Sequence, residues 1–175
     1  ARAAAEPQRV VRNLKRILGC PFNHPAVRLF QAQNAVHVHQ GARGEVLIST
    51  PEQTYAPKQL AAQMLRHIQL LADCRFEQDM KYCVMTLPEG CSAEHRKATL
   101  QSAQMAGLHV FKTIEEPIAA ATAFGAKNFD GHRQFLVFDF GGGTFDATVI
   151  EQRGPFMTVL ASGGDTCLGG CDFDD

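Results

Sequence analysis

Residues 139–146 read Asp-Phe-Gly-Gly-Gly-Thr-Phe-Asp, three consecutive glycines and a threonine set between two carboxylates. Glycine lacks a Cβ and tolerates φ > 0, so an anion can approach the main-chain N–H groups of such a stretch closely. The commonest phosphate loops do not fit. Gly143 is followed by Thr144-Phe145 where a P-loop needs Lys-Ser/Thr, and Asp146 stands where a dinucleotide fingerprint has its third glycine. What remains is a hairpin tip offering backbone N–H groups. Asp139 and Asp146 would repel a phosphate placed directly against them, but they make sense beside one if Mg²⁺, usually through its waters, lies between. A plain glycine-rich turn between two solvated aspartates satisfies the same spacing.

Other chemistry-bearing residues form weaker patterns. The six cysteines, at positions 20, 74, 83, 91, 167 and 171, contain no CxxC pair, which argues for reduced thiols over a zinc site or a disulfide scaffold. Cys83 sits in an apolar run and reads as a small core hydrophobe. His37 and His39 alternate on one strand face, but no third ligand lies near them in sequence, so a solvated strand is the simpler reading. The chain has 175 residues, 45% hydrophobic and 20% charged, with a formal net charge of −1. That composition supports a folded core and gives no electrostatic reason to expect nucleic acid. No apolar run approaches the roughly 18 residues needed to cross a bilayer. The opening Ala-Arg-Ala-Ala-Ala reads as a cut edge, with no initiator Met and no apolar signal core.

The elements that must position these residues follow from periodicity. Residues 8–18 place Val10, Val11, Leu14, Ile17 and Leu18 on one stripe before Gly19, predicting an amphipathic helix with Arg9, Arg12, Lys15 and Arg16 on its solvated face. From Val27 to Ser49 short alternating runs predict small strands. Pro57 opens a long helix carrying Leu60, Met64, Ile68 and Leu71, and residues 82–87 form a continuous apolar run, the mark of a buried strand ended by Pro88. Ser92 is a candidate N-cap for a helix with Ala98, Met105 and Ala106 that ends at Gly107. Residues 115–125 begin a helix at Pro117 and close on Gly125. Residues 134–140, 145–151 and 156–161 are three strands, the first two joined by the glycines. The class is α/β.

At this point the sequence resembles the ATPase domain of the 70-kilodalton heat-shock chaperones (DnaK type), within the actin and sugar-kinase superfamily. Five blocks carry the resemblance in the family's order: residues 13–19, 86–108, 115–125, 138–150 and 163–175. It implies an actin-like ATPase fold with ribonuclease-H-like lobes, holding most of lobe I and the opening hairpin of lobe II. Residues 1–56 would be a partial outer subdomain of lobe I with the Lys15 helix and 57–128 the core of lobe I. Residues 129–168 would be the opening strands of lobe II with the phosphate hairpin, and 169–175 the start of outer lobe II.

The resemblance also implies roles. Lys15 looks like the lysine that reaches the γ-phosphate and orients the attacking water. Glu116 and Asp139 look like the carboxylates that organise the waters of Mg²⁺, and Asp146 like the proton acceptor. Thr144 with the Gly141, Gly142 and Gly143 backbone looks like the γ-phosphate cradle, an inventory suited to phosphoryl transfer. Pro88 and Arg96 look like the relay between nucleotide state and the client-binding half, although a strand-ending proline and a surface arginine would explain both. The implied ligands are ATP/ADP and Mg²⁺. The implied partners are unfolded or extended polypeptide clients, a J-domain co-chaperone and a nucleotide-exchange factor, with no nucleic acid and no membrane, in the cytoplasm or an organelle lumen or matrix. A non-hydrolysing relative acting as exchange factor or scaffold, and an actin-like filament protein, are the other readings of the fold. Retention of Lys15, Glu116, Asp139 and Asp146 together favours hydrolysis.

Departures from the family pattern are Cys167 in place of His, Cys171 in place of an acidic residue, Glu115 in place of Asn, and Glu-Gly-Cys at 89–91 after Pro88. The family's first phosphate hairpin would precede residue 1, and its adenosine pocket would follow Asp175. The isolated 175-residue chain is therefore expected neither to hydrolyse ATP at a useful rate nor to bind Mg²⁺-ATP at micromolar affinity or tighter. Isothermal titration measures this, and micromolar or tighter binding by a monomer would show that the hairpin and Lys15 suffice.

Overall fold

Proline and glycine set most of the element boundaries. The computed structural model describes residues 5–125 and 130–174, a mixed α/β chain in two units: Ala1–Cys83 with Ser92–Phe111, and Val84–Cys91 with Lys112–Asp175. The division expected between residues 128 and 129 lies outside the described residues.

In the first unit, Pro25 occupies the first turn of helix α1 (Pro25–Gln33), and the His24 ring accepts the Ala26 N–H at 3.2 Å. Strands β1 (His37–Gln40), β2 (Val46–Ser49) and β3 (Thr54–Tyr55) form an antiparallel sheet in that order. Ile17, Val27, Phe30, Val36, Val38, Val46 and Ile48 make its core, with Val11, Leu14 and Leu60 packed against them. Helix α2 (Pro57–Phe76) opens at the expected proline, and the Gln59 side chain reaches back to accept the Ala56 N–H at 2.7 Å. Helix α3 (Ala93–Ala106) is capped as its sequence predicts. The Ser92 hydroxyl accepts from the His95 N–H at 3.1 Å, and Gly107 ends the helix at φ 87°. Lys58 and Arg66 of α2 donate to Gln101 Oε1 and the Met105 carbonyl of α3 at 3.0 and 3.1 Å.

Several expectations need correction here. Residues 8–18 are not one helix: Pro7–Arg9 and Leu14–Ile17 are separate 3₁₀ turns, so Lys15 rides a short turn rather than a helix. Asn13 breaks the helix at φ 56°, in the left-handed region that asparagine tolerates better than most residues. Arg16 is also not on a solvated face but 7% exposed, its Nη1 donating to Gln33 Oε1 at 3.1 Å. The short strands begin at His37 rather than Val27, because Pro25 starts a helix whose Val27 and Phe30, three apart, turn to the core. Strand β4 (Tyr82–Leu87) is not buried throughout. Leu87 is buried, but Tyr82 and Val84 are exposed, since among the described residues β4 pairs only with β5 (His109–Glu115) and a two-stranded sheet covers little. Of the α2 stripe, only Leu60 packs on the core; Met64, Ile68 and Leu71 are exposed.

The second unit is built on strands β6 (His132–Phe140), β7 (Phe145–Arg153) and β8 (Phe156–Asp165), antiparallel in that order. Helix α4 (Glu116–Ala123) begins with Pro117 in its first turn. Its Ala121 is buried with Ile150, while Ile118, Phe135, Val137 and Met157 close around them. A final turn, α5 (Cys171–Asp174), follows β8.

Gly19 is held at φ 80°, where a Cβ would lie 2.6 Å from the Glu94 carbonyl oxygen and 2.7 Å from the His95 nitrogen at the start of α3. Gly19→Ala is expected to destabilise the first unit by about 2 kcal/mol or more, read as a lowered melting temperature. In the second unit, the Arg153 guanidinium and then the His132 ring hydrogen-bond Glu151 and hold its carboxyl down at about 2, against an ordinary 4.5. A folded-state value below the unfolded one contributes stability that is complete above about pH 4.5 and lost as the pH falls toward 2. The stability difference between the wild type and Glu151→Gln should shrink across that window, measured by thermal unfolding at stepped pH.

Candidate functional site

The glycine hairpin lies within the second unit. β6 and β7 pair in unbroken register from His132–Arg153 to Phe140–Phe145, which sets Asp139 directly opposite Asp146. Side chains of directly paired residues share a face and stand close, and like charges so placed are unfavourable unless a cation or solvent compensates. On the other side of β7, Gly164 pairs with Asp146; a Cβ there would strike the Phe145 carbonyl and come within 3.1 Å of Asp146 Oδ1. Three strands thus contribute one row, in which Gly164 lets the β7 main chain and the Asp146 carboxylate come close.

At the tip, Gly141 donates its N–H to the Thr144 carbonyl at 3.0 Å. That amide closes the turn and is not available to a ligand, a correction to the picture of a wholly bare tip. The Gly142 N–H, by contrast, has no protein partner among the described residues. Neither Gly141 nor Gly142 uses the left-handed φ that glycine allows, and a Cβ on them would meet protein only at 3.7 Å (Thr144 O) and 3.6 Å (Cys171 Sγ), ordinary contacts. Chain packing therefore does not require glycine at these two positions. Open access to the backbone is what their missing side chains provide.

Glu116 is the first residue of α4, at the end of β5 and in the same unit as the hairpin. Lys15 is exposed on its 3₁₀ turn in the first unit, anchored by its buried neighbours Arg16 and Ile17. Pro88 lies in the second unit, where its carbonyl accepts the Cys91 N–H at 3.3 Å; Arg96 lies on α3 in the first. The predicted residues thus divide into Glu116, Asp139, Gly141–Thr144, Asp146 and Pro88 in one unit and Lys15 and Arg96 in the other.

All six cysteines are free, and burial pushes the Cys83 thiol up from its ordinary value. The His37 and His39 rings stack at 5.1 Å on β1. No group of three or more His, Cys, Asp or Glu among the described residues is placed to hold a metal directly. A divalent ion at Asp139 and Asp146 would be held largely through its own waters and a ligand's oxygens. What sequence reasoning missed is the segment after β8. Gly170 donates to the Gly141 carbonyl at 2.9 Å and Cys171 to the Gly142 carbonyl at 2.8 Å. The paired glycines at 169 and 170 were the available signal.

The model of the family described as "Hsp70 protein" matches residues 1–175. Relatives named "Chaperone protein DnaK" are similar over 172 residues: 38% identical from Deinococcus proteolyticus, 37% from Deinococcus deserti and 36% from Deinococcus radiodurans. Each alignment covers 98% of this chain and 27% of the relative, so the chain spans about a quarter of the length of the curated relatives it matches. With a glycine hairpin carrying opposed carboxylates and a family match across its whole length, the chain belongs to the Hsp70 family.

Proposed function

We propose that this chain supplies the hydrolytic side of an ATP-driven chaperone cycle, as part of an actin-like ATPase fold in which it forms most of lobe I and the opening hairpin of lobe II. The observation that carries the reading is the hairpin tip. A backbone N–H without a protein partner and two glycines not demanded by packing stand beside carboxylates opposed in register. An anion at the Gly142 N–H would gain a charge-assisted hydrogen bond. The opposed carboxylates would then need a cation, which fits a phosphate accompanied by a divalent ion. Mg²⁺ bound there would supply the positive charge that offsets the carboxylates and the phosphate, with Asp139 and Glu116 holding it through its waters.

In this reading, Gly142, Gly143 and Thr144 bind the terminal phosphate of ATP. Asp139 and Glu116 orient waters of the hydrated ion, and Asp146 accepts a proton from the attacking water. Lys15 neutralises charge that grows on the transferring phosphate. Catalysis of this kind is positioning and electrostatics more than covalent chemistry. Pro88 and Arg96 would relay nucleotide state to a client-binding region, with extended polypeptides, a J-domain co-chaperone and a nucleotide-exchange factor as partners. The joint presence of Lys15, Glu116, Asp139 and Asp146 favours this over a non-hydrolysing relative that binds ATP only as a scaffold or exchange factor.

In the complete protein that carries this chain, Lys15→Ala should lower single-turnover ATP hydrolysis a hundredfold or more while nucleotide affinity changes little. Losing one charged transition-state contact costs about 3 kcal/mol, and Lys15 acts on the transferring phosphate rather than on the nucleoside. Rapid-quench hydrolysis and fluorescent-nucleotide titration read the two quantities separately, and near-normal hydrolysis by the variant would refute the assignment.

A further inference from the structure

Gly169 has no functional role in the reading above, yet its main chain leaves no room for a side chain against the hairpin tip. A Cβ on Gly169 would fall on the Gly143 amide nitrogen and lie 2.5 Å from both the carbonyl carbon and oxygen of Gly142. These are main-chain atoms of the loop itself, not ends of flexible side chains, so neither can step aside alone. Gly169 has ordinary φ, outside the left-handed region. Its requirement for glycine is one of space rather than conformation. The adjoining residues then lace the two segments together, Gly170 to the Gly141 carbonyl and Cys171 to the Gly142 carbonyl. Asp172 locks the strap from below: its Oδ2 accepts the Gly169 N–H at 2.8 Å and its own N–H donates to the Gly169 carbonyl at 3.0 Å.

We propose that Gly169 is a positioning residue for phosphate binding, the point at which residues 169–171 clamp the Gly141–Gly143 tip. This deepens the phosphate reading and rests on it. By donating to the Gly141 and Gly142 carbonyls, the strap fixes the planes of the peptides that follow them, and so the direction of the Gly142 and Gly143 N–H groups. With a side chain at 169 the strap lifts, the carbonyls lose their donors, and the N–H groups lose their common aim. A shift of about 1 Å in such a site is enough for a large loss. Contacts to a nucleoside do not pass through these peptides and are unaffected.

The test uses the complete protein and measures affinities for Mg²⁺-ADP and adenosine in parallel. Gly169→Ala should weaken Mg²⁺-ADP at least tenfold with adenosine binding unchanged. Gly163→Ala, whose Cβ meets nothing within 4 Å, should change neither. An equal loss of ADP and adenosine, or no loss of ADP, overturns the proposal. Gly142→Ala separates this from the underlying reading, because its Cβ fits the protein and obstructs only the ligand. If Gly142→Ala loses ADP and Gly169→Ala does not, the clamp alone is wrong. If neither loses it, the phosphate reading falls as well. Should Gly169→Ala fail to fold, the wild-type protein still decides. The exposed Cys171 thiol lies against Gly142, so Mg²⁺-ADP should slow its alkylation by iodoacetamide severalfold while adenosine does not. Equal rates with and without Mg²⁺-ADP would overturn the proposal.

Discussion

Everything at the hairpin depends on the register of β6 on β7. The side-chain period of a strand is two, so a slip of one residue would send Asp139 to the face opposite Asp146. It would also turn Phe135 and Val137 away from Ala121 and Ile150. The apolar face of the sheet and the carboxylate pair are therefore locked by one alignment. Packing of α4 on β6 enforces it at one end, and the Gly141–Thr144 hydrogen bond closes it at the other. The electrostatic cost of two opposed carboxylates is carried by hydrophobic contacts several residues away. That arrangement can hold a charged site poised without the charges stabilising it themselves.

Two physically different demands for glycine meet within this unit. At Gly164 and Gly169 the protein's own backbone fills the space a Cβ would need, so glycine there is a packing requirement. At Gly141 and Gly142 the surrounding atoms would admit a Cβ, and the absence of one matters only to something outside the chain. Composition cannot separate the two kinds, because every one of these residues is simply a glycine in a loop or at a strand end. The contacts separate them, dividing the region into a tip where a Cβ would fit and a strap where it would not.

The sequence was most legible where a local signal decides structure alone. Pro57 starts α2, Ser92 and Gly107 bound α3, and the three glycines separate β6 from β7, whose expected spans of 134–140 and 145–151 stop two residues short of the observed strands at their far ends. It was least legible where a distant partner decides. The stripe at 8–18 satisfies a helix, but Arg16 finds Gln33 from α1 and Asn13 adopts a left-handed turn toward the same side chain, with Nδ2 donating to Gln33 Oε1 at 3.3 Å. A periodicity argument contains no term for that partner. The apolar run at 82–87 shows that hydrophobicity reports what a strand could bury, not how much of it a two-stranded sheet covers. Of the site, the hairpin and its carboxylates could be read directly, whereas Gly169 could not, because its significance is a contact with residues some 26 positions earlier.

The same contrast explains how Lys15 is presented. Lys15 and Arg16 are adjacent cations of one 3₁₀ turn, yet one is exposed and the other buried. Successive residues of such a turn point roughly 120° apart, so fixing one side chain inward directs its neighbour outward. Arg16 is well suited to be the fixed one, because its planar guanidinium can hold a directed bond to an amide oxygen while its stem packs in the core. Ile17, wholly buried, takes a second inward direction. With two of the three directions spent, Lys15 takes the third and is exposed. The break in the expected helix is thus the feature that sets the lysine: a continuous helix would have spread these cations over the solvated face and left none of them anchored.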